Sequence, residues 1–171
     1  DTARTEEAYL RSIDGKTAAL LATACRTGGI VAGLPQRQID ALTTFGNAYG
    51  MAFQIVDDVL DLVATDAELG KPAGHDMEEG VYTLPVIRAL ADDADGELRS
   101  LLTDHMTADD RSRAVEIVAA GGWIDGAIGL ARDHASRAIS ALDGLPSSAG
   151  VDGLSAAAAH LVDSVEAAAA R

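Results

Sequence analysis

The sequence predicts an all-α protein, a bundle of packed helices, and three observations carry that expectation. Alanine fills 34 of the 171 positions, and it has the best helix propensity and lets helix axes approach closely. Apolar residues reach 48% while aromatics are 4%, which leaves too little aromatic and β-branched material for a sandwich or barrel. Apolar positions also recur every three or four residues over long stretches, which is the helical period.

Thr5 followed by Glu6 and Glu7 reads as an N-cap with acidic first-turn residues suited to the positive end of a helix dipole. Small and apolar residues then run through Leu10, Ile13, Thr17, Leu20, Leu21, Ala24 and Cys25 to Ile30, with Asp14-Gly15 as a break between a short helix and a longer one. Gly33-Leu34-Pro35 ends the stretch. From Gln36 the series Ile39, Leu42, Phe45, Tyr49, Ala52, Phe53, Val56, Val59, Leu60, Val63 predicts one long central helix over 36–64. Gly46 and Gly50 share one face of it, where missing side chains permit close approach of a neighbour.

Residues 64–81 carry three glycines, Pro72 and a dense run of charges. They predict a loop of unusual length for a compact helical domain, and such loops are usually functional or disordered. Helices follow over 82–91, 93–104, 108–120, 123–143 and 150–169, punctuated by Gly121-Gly122 and Gly144-Leu145-Pro146.

Lys and Arg total 13 against 27 Asp and Glu, a formal net charge of −14. A bare nucleic-acid-binding surface is excluded on that balance, because phosphate neutralisation needs a basic face. An acidic chain still binds phosphates where a divalent metal stands between them. No apolar run approaches the roughly 20 residues of a membrane span. The single Cys25 rules out an intrachain disulfide and fits a reducing, cytoplasmic interior. The chain opens on Asp1 and its first methionine is Met51, so further residues are expected upstream.

The most informative segment is Phe53-Gln54-Ile55-Val56-Asp57-Asp58-Val59-Leu60-Asp61. At roughly 100° per residue, Gln54, Asp57, Asp58 and Asp61 fall within an arc of about 100°. Carboxylates this close raise one another's pKa unless a cation neutralises them. Oxygen ligands of this kind suit Mg²⁺, which takes one or two carboxylates together with waters and phosphate oxygens. A solvated acidic helix face is the other reading of the same residues. Lys71 lies in the following loop, and with Lys16 it makes up all the lysine of the chain. A compact ammonium there can close over a phosphate, or it can simply be solvated. Lys16 sits in an otherwise small and apolar helical run, so its ammonium either snorkels to water or faces a polar cavity.

Taken together, KTAAL from Lys16, FQIVDDVLDL from Phe53, GKPAGHDMEEG from Gly70 and TLPVI from Thr83 resemble the C-terminal half of a trans-type polyprenyl diphosphate synthase. The resemblance covers most of the chain and implies the C-terminal part of the isoprenoid synthase fold, with residues 1–171 forming part of a single domain. It implies that Asp57, Asp58 and Asp61 form the second aspartate-rich motif, which binds Mg²⁺ bridging to an allylic diphosphate. It places Lys16, Lys71 and Gln54 around the substrate diphosphate, and Lys16, Thr17 and Gln54 around the reacting allylic group. The implied reaction joins isopentenyl diphosphate to that allylic diphosphate, and the implied assembly is a homodimer.

The chain departs from the family pattern in two places. No aspartate-rich cluster precedes Lys16, so the family's first such motif is absent and the chain alone is expected to be inactive. Val81 stands where many short-chain members carry lysine, which implies a medium- or long-chain product. The residues also leave open a terpene-cyclase-like Mg²⁺ enzyme and a non-catalytic helical subunit.

Overall fold

The computed structural model describes residues 1–64 and 73–170. Among them every regular element is helical, as the alanine content and periodicity predict. Thr5 caps α1, Glu6–Ile13, by accepting the Ala8 N–H on its side chain. The expected break at Asp14-Gly15 does not occur. The chain widens there into one π-helical turn, Asp14–Ala18, and runs on into α2, Ala19–Val31. A side chain at Gly15 would stand in open space, and the Asn47 side chain donates to Asp14 Oδ1 at 2.7 Å at the start of the wide turn.

The central helix α3 spans Gln36–Val63. Its contacts with the π-helical turn and α2 explain Gly46 and Gly50. A Cβ at Gly46 would stand 2.6 Å from the Leu21 carbonyl oxygen, and one at Gly50 would stand 2.6 Å from the Ala18 Cα. Both obstacles are backbone, so only glycine lets the helices cross this closely.

Beyond the undescribed residues, α4, His75–Glu78, occupies ground expected to be loop. Gly74 and Gly80 bracket it with φ of 74° and 75°, a left-handed conformation that glycine adopts without penalty. Next comes α5, Leu84–Asp92, starting two residues later than expected because Thr83 stays extended and Pro85 takes a first-turn position. The helix expected over 93–104 shrinks to α6, Glu97–Leu101. The Asp93 carboxylate accepts the Leu98 and Arg99 N–H groups and Asp95 accepts the Glu97 N–H, so Asp93 and Asp95 cap α6 instead of joining it.

Three helices close the bundle: α7, Ala108–Ala120, α8, Trp123–Ala141, and α9, Ala149–Ala169. The main contacts of α3 run along α2 and α8, with α9 packed on both α8 and α3. Ala127, Ala131, Ala135 and Ala138 form the buried stripe of α8, and Ala48 and Ala52 lie buried on α3. Such small residues bring helix axes close without sacrificing contact. The larger core side chains Ile55, Val56, Val59, Leu84, Val86 and Leu98 gather around the C-terminal half of α3. α2 is different, since it leaves Leu20 70% and Val31 82% exposed. Among the described residues, no single helix is long and apolar enough to cross a membrane.

Candidate functional site

Near its C-terminal end α3 turns polar. Gln54, Asp57 and Asp58 line a cleft of about 310 Å³ together with Arg4, Tyr9, Ser12, Ile13 and Lys16 from the α1 region, and Asp76, Glu79, Val81 and Thr83 from the α4–α5 region. The cleft therefore collects side chains from three separate stretches of the chain around one turn of α3.

A continuous hydrogen-bond chain runs from behind the cleft into it. The Thr17 hydroxyl donates to Gln54 Oε1 at 2.8 Å. Gln54 Nε2 donates to Asp58 Oδ1 at 2.9 Å and more weakly to Asp57 Oδ2 at 3.3 Å. The Tyr9 phenol donates to Asp58 Oδ2 at 2.6 Å. The Gln54 amide is thus held at both ends, accepting from the π-helical turn and donating to the aspartates.

Burial separates the two adjacent carboxyls. Asp57 is exposed and Asp58 buried. Burial pushes the Asp58 carboxyl up to about 6; the Tyr9 and Gln54 hydrogen bonds pull against this, and the neighbouring Asp76 and Asp57 charges add to it. Burial and the Asp58 charge likewise hold the Tyr9 phenol well above its usual range, so it is a fixed donor. The Arg4 guanidinium lies 5.4 Å from the centre of the Tyr9 ring and donates to the Tyr82 carbonyl at 3.2 Å.

Of the residues singled out from sequence, Lys16, Gln54, Asp57 and Asp58 line the cleft, and Thr17 touches Gln54 just behind it. Lys16 is exposed. Asp61 lies one turn further along α3, buried, and its Oδ2 accepts the Asp76 N–H at 3.2 Å while its carbonyl accepts the Gly74 N–H at 2.7 Å. It therefore ties α3 to the start of α4. Lys71 lies outside the described residues. Tyr9, Arg4, Asp76 and Glu79 join the site without having been singled out. Tyr9 had a weak signal, because positions 9, 13 and 16–17 follow helical spacing and share a face with Lys16.

The donor set fits a hard divalent cation. Among the described residues the cleft carries four carboxylates, Asp57, Asp58, Asp76 and Glu79, against Arg4 and Lys16. Its net negative charge, together with a carboxyl raised in pKa, is what such an ion would neutralise. No three His, Cys, Asp or Glu side chains among the described residues could hold one ion between them. An ion here would need ligands beyond the protein, as Mg²⁺ does when it keeps waters and phosphate oxygens.

A sequence model of one family, described as polyprenyl synthetase, matches residues 1–119. Heptaprenyl diphosphate synthase component 2 of Geobacillus stearothermophilus is 36% identical over 138 residues, 81% of this chain and 43% of that protein. A probable mitochondrial hexaprenyl pyrophosphate synthase of Neurospora crassa is 38% identical over 85% of this chain and 32% of its own length. The chain thus spans less than half the length of these relatives. Among solved structures, a decaprenyl diphosphate synthase from Rhodobacter capsulatus superposes with a TM-score of 0.85 at 37% identity, covering 96% of this chain and 52% of that one. A polyprenyl synthase from Caulobacter crescentus, complexed with calcium and isoprenyl diphosphate, does so with a TM-score of 0.88 at 34% identity, covering 95% and 51%.

Proposed function

This chain belongs to the polyprenyl synthetase family, and we propose that it forms the C-terminal portion of one synthase domain and supplies the part of the active site that grips the diphosphate of an allylic substrate. The observation that carries this reading is the hydrogen-bond chain from Thr17, behind the cleft, through Gln54 to Asp58, in a cleft that Lys16 and Asp57 also line.

In the proposed reaction an allylic diphosphate loses its diphosphate, the allylic carbon bonds to the double bond of isopentenyl diphosphate, and a proton is lost. Asp57 and Asp58 at the cleft, with Asp61 one turn further along α3, would hold Mg²⁺ with the help of waters and phosphate oxygens, and the ion would supply the charge neutralisation that makes diphosphate a better leaving group. Lys16 and Lys71 add positive charge beside the same group. Thr17 holds Gln54 by its Oε1, leaving the second lone pair of that oxygen for the positive charge that develops on the allylic carbon, while Gln54 Nε2 orients Asp57 and Asp58. The cleft wall of Ile13 and Val81 supplies an apolar border against water.

The chain's share of the two relatives, 43% and 32% of their length, supports a domain completed by other residues. The exposed α2 side chains Leu20, Ile30 and Val31 are what the remainder of such a domain would cover. On this reading the 171 residues alone are inactive, and the complete protein is a cytoplasmic homodimer. Val81 in place of a cationic residue at the cleft rim supports a medium- or long-chain product. Neither a cyclase nor a non-catalytic subunit gains support from relatives named as prenyl diphosphate synthases.

Calorimetric titration of the full-length protein with an allylic diphosphate, with and without Mg²⁺, tests the reading. Binding that requires Mg²⁺ and elongation that requires isopentenyl diphosphate are expected. Metal-independent binding, or none, would sink it.

A further inference from the structure

We propose that Tyr9 is a positioning residue for Asp58: its phenol fixes the carboxyl so that the remaining acceptor positions of Asp58 meet a divalent cation carrying diphosphate. This rests on the metal-dependent reading of the cleft and adds a residue to it.

The geometry is specific. Tyr9 is 1% exposed, and a phenolic hydroxyl that deep needs a partner. It finds one on another helix, 49 residues away, at 2.6 Å, within the short range of a hydrogen bond to a carboxylate. Gln54 Nε2 occupies the other oxygen at 2.9 Å. Each carboxylate oxygen accepts along two directions, so one protein donor on each fixes the plane of the group and leaves further acceptor capacity. The two donors come from different helices, so neither rotation about the Asp58 side chain nor a slide of α1 is free.

The phenol is itself held. Arg4 covers one ring face at 5.4 Å and is anchored on the Tyr82 carbonyl, while Glu6, one turn before Tyr9, is bound by Arg88 of α5 through two contacts of 2.7 and 3.0 Å. Phenylalanine would fill the same core volume, so the hydroxyl is what the site gains from tyrosine at this position. A partner of this kind orients a ligating group, and its removal typically costs 10- to 100-fold in metal affinity.

The test uses full-length protein, with Mg²⁺ and inorganic diphosphate as the probe and calorimetry as the readout. Tyr9→Phe is expected to weaken Mg²⁺ binding in the presence of diphosphate by about 10- to 100-fold. In an Asp58→Asn background the same substitution is expected to add less than about twofold, because its route through Asp58 is gone. A residue that served packing alone would lower the melting temperature and leave the Mg²⁺ dependence unchanged in both backgrounds. Wild-type-like Mg²⁺ affinity in Tyr9→Phe, or equal losses with and without Asp58, overturns the proposal. Failure of the wild-type protein itself to bind Mg²⁺ and diphosphate instead overturns the functional reading beneath it. Should Tyr9→Phe not fold by circular dichroism, site-specific ring fluorination of Tyr9 changes the donor strength at nearly constant shape. A graded change in Mg²⁺ affinity is then expected, and no change would refute the role.

Discussion

Thr17 Oγ1 donates to Gln54 Oε1 across 2.8 Å, joining a π-helical turn to the C-terminal half of the central helix. That bond sets which way the Gln54 amide faces, and so which end of it reaches Asp57 and Asp58. Thr17→Val keeps the volume and removes the donor. It should cost about 1 kcal/mol of stability and let the amide rotate, lowering Mg²⁺-dependent diphosphate affinity in the full-length protein by several-fold, whereas Thr17→Ser should retain both. Equal behaviour of the two variants in calorimetry would show that the hydroxyl is unimportant.

Asp58 sets a conflict between stability and binding. Burial holds its carboxyl at about 6 in place of 3.8, so the folded state binds a proton more tightly than the unfolded chain. Without metal, stability should therefore fall as pH rises from the ordinary carboxylate range to about 6, and stay reduced above it. At about 1.36 kcal/mol per unit, the loss is on the order of 3 kcal/mol. Asp58→Asn abolishes this term. In urea unfolding without metal, the variant is expected to gain over wild type at about pH 8 much more than at about pH 4, while its Mg²⁺-dependent diphosphate binding weakens but stays measurable. A gain independent of pH would contradict the assignment.

The helical architecture was legible because local signals agree with it. Thr5 with Glu6 and Glu7 marks the start of α1, Pro35 precedes α3, and the α3 periodicity survives to Val63. The wide turn at Asp14–Ala18 was not legible. Asp14-Gly15 carries the same local signal whether the chain breaks or widens, and the Asn47 that bonds Asp14 lies on another helix. The site divides in the same way. Sequence spacing places Gln54, Asp57 and Asp58 on one side of a helix, but it cannot reveal that Asp57 is exposed and Asp58 buried. Nor can it reveal that the Tyr9 phenol of α1 reaches Asp58, a contact over 49 residues. Asp61 shares the arc and yet ties α3 to α4 through the Asp76 N–H, a partner supplied by a short helix that the glycine-rich run did not announce.

The two glycines where α3 crosses the π-helical turn and α2 should respond differently from a glycine in open space. A Cβ at Gly50 presses on the Ala18 Cα at 2.6 Å, and one at Gly46 presses on the Leu21 carbonyl. Neither backbone can yield locally, so each Gly→Ala substitution should cost about 1–3 kcal/mol. Ala18 follows Thr17, so Gly50→Ala should also weaken Mg²⁺-dependent diphosphate binding more than Gly46→Ala does. Gly129 of α8 meets nothing within 4 Å. There alanine should gain up to about 1 kcal/mol from helix propensity. Thermal unfolding of the three variants checks the order, and a stabilised Gly50→Ala would contradict the close crossing.

The anchor of α1 gives a prediction of opposite pH sign to Asp58. Arg88 grips Glu6 with two nitrogens, and this hydrogen bonding holds the Glu6 carboxyl below its usual range, with burial opposing. A depressed carboxylate contributes stability that is complete above the ordinary range and disappears as pH falls through the lowered value. Because the pair is partly open to water, its worth is about 1 kcal/mol or less. Glu6→Gln should remove that amount at about pH 7 and almost none at about pH 2. Arg88→Lys should recover little of it, since an ammonium cannot reproduce the two-pronged contact. The neighbouring Glu7 pairs with Arg11, four residues on and, like Glu7, largely exposed, so Glu7→Gln should cost a few tenths of a kcal/mol at most. Melting temperatures at the two pH values separate these cases. Equal losses from Glu6→Gln and Glu7→Gln would mean that α1 is held by its apolar face alone, with Tyr9 and Ile13 sufficient to seat it on the core.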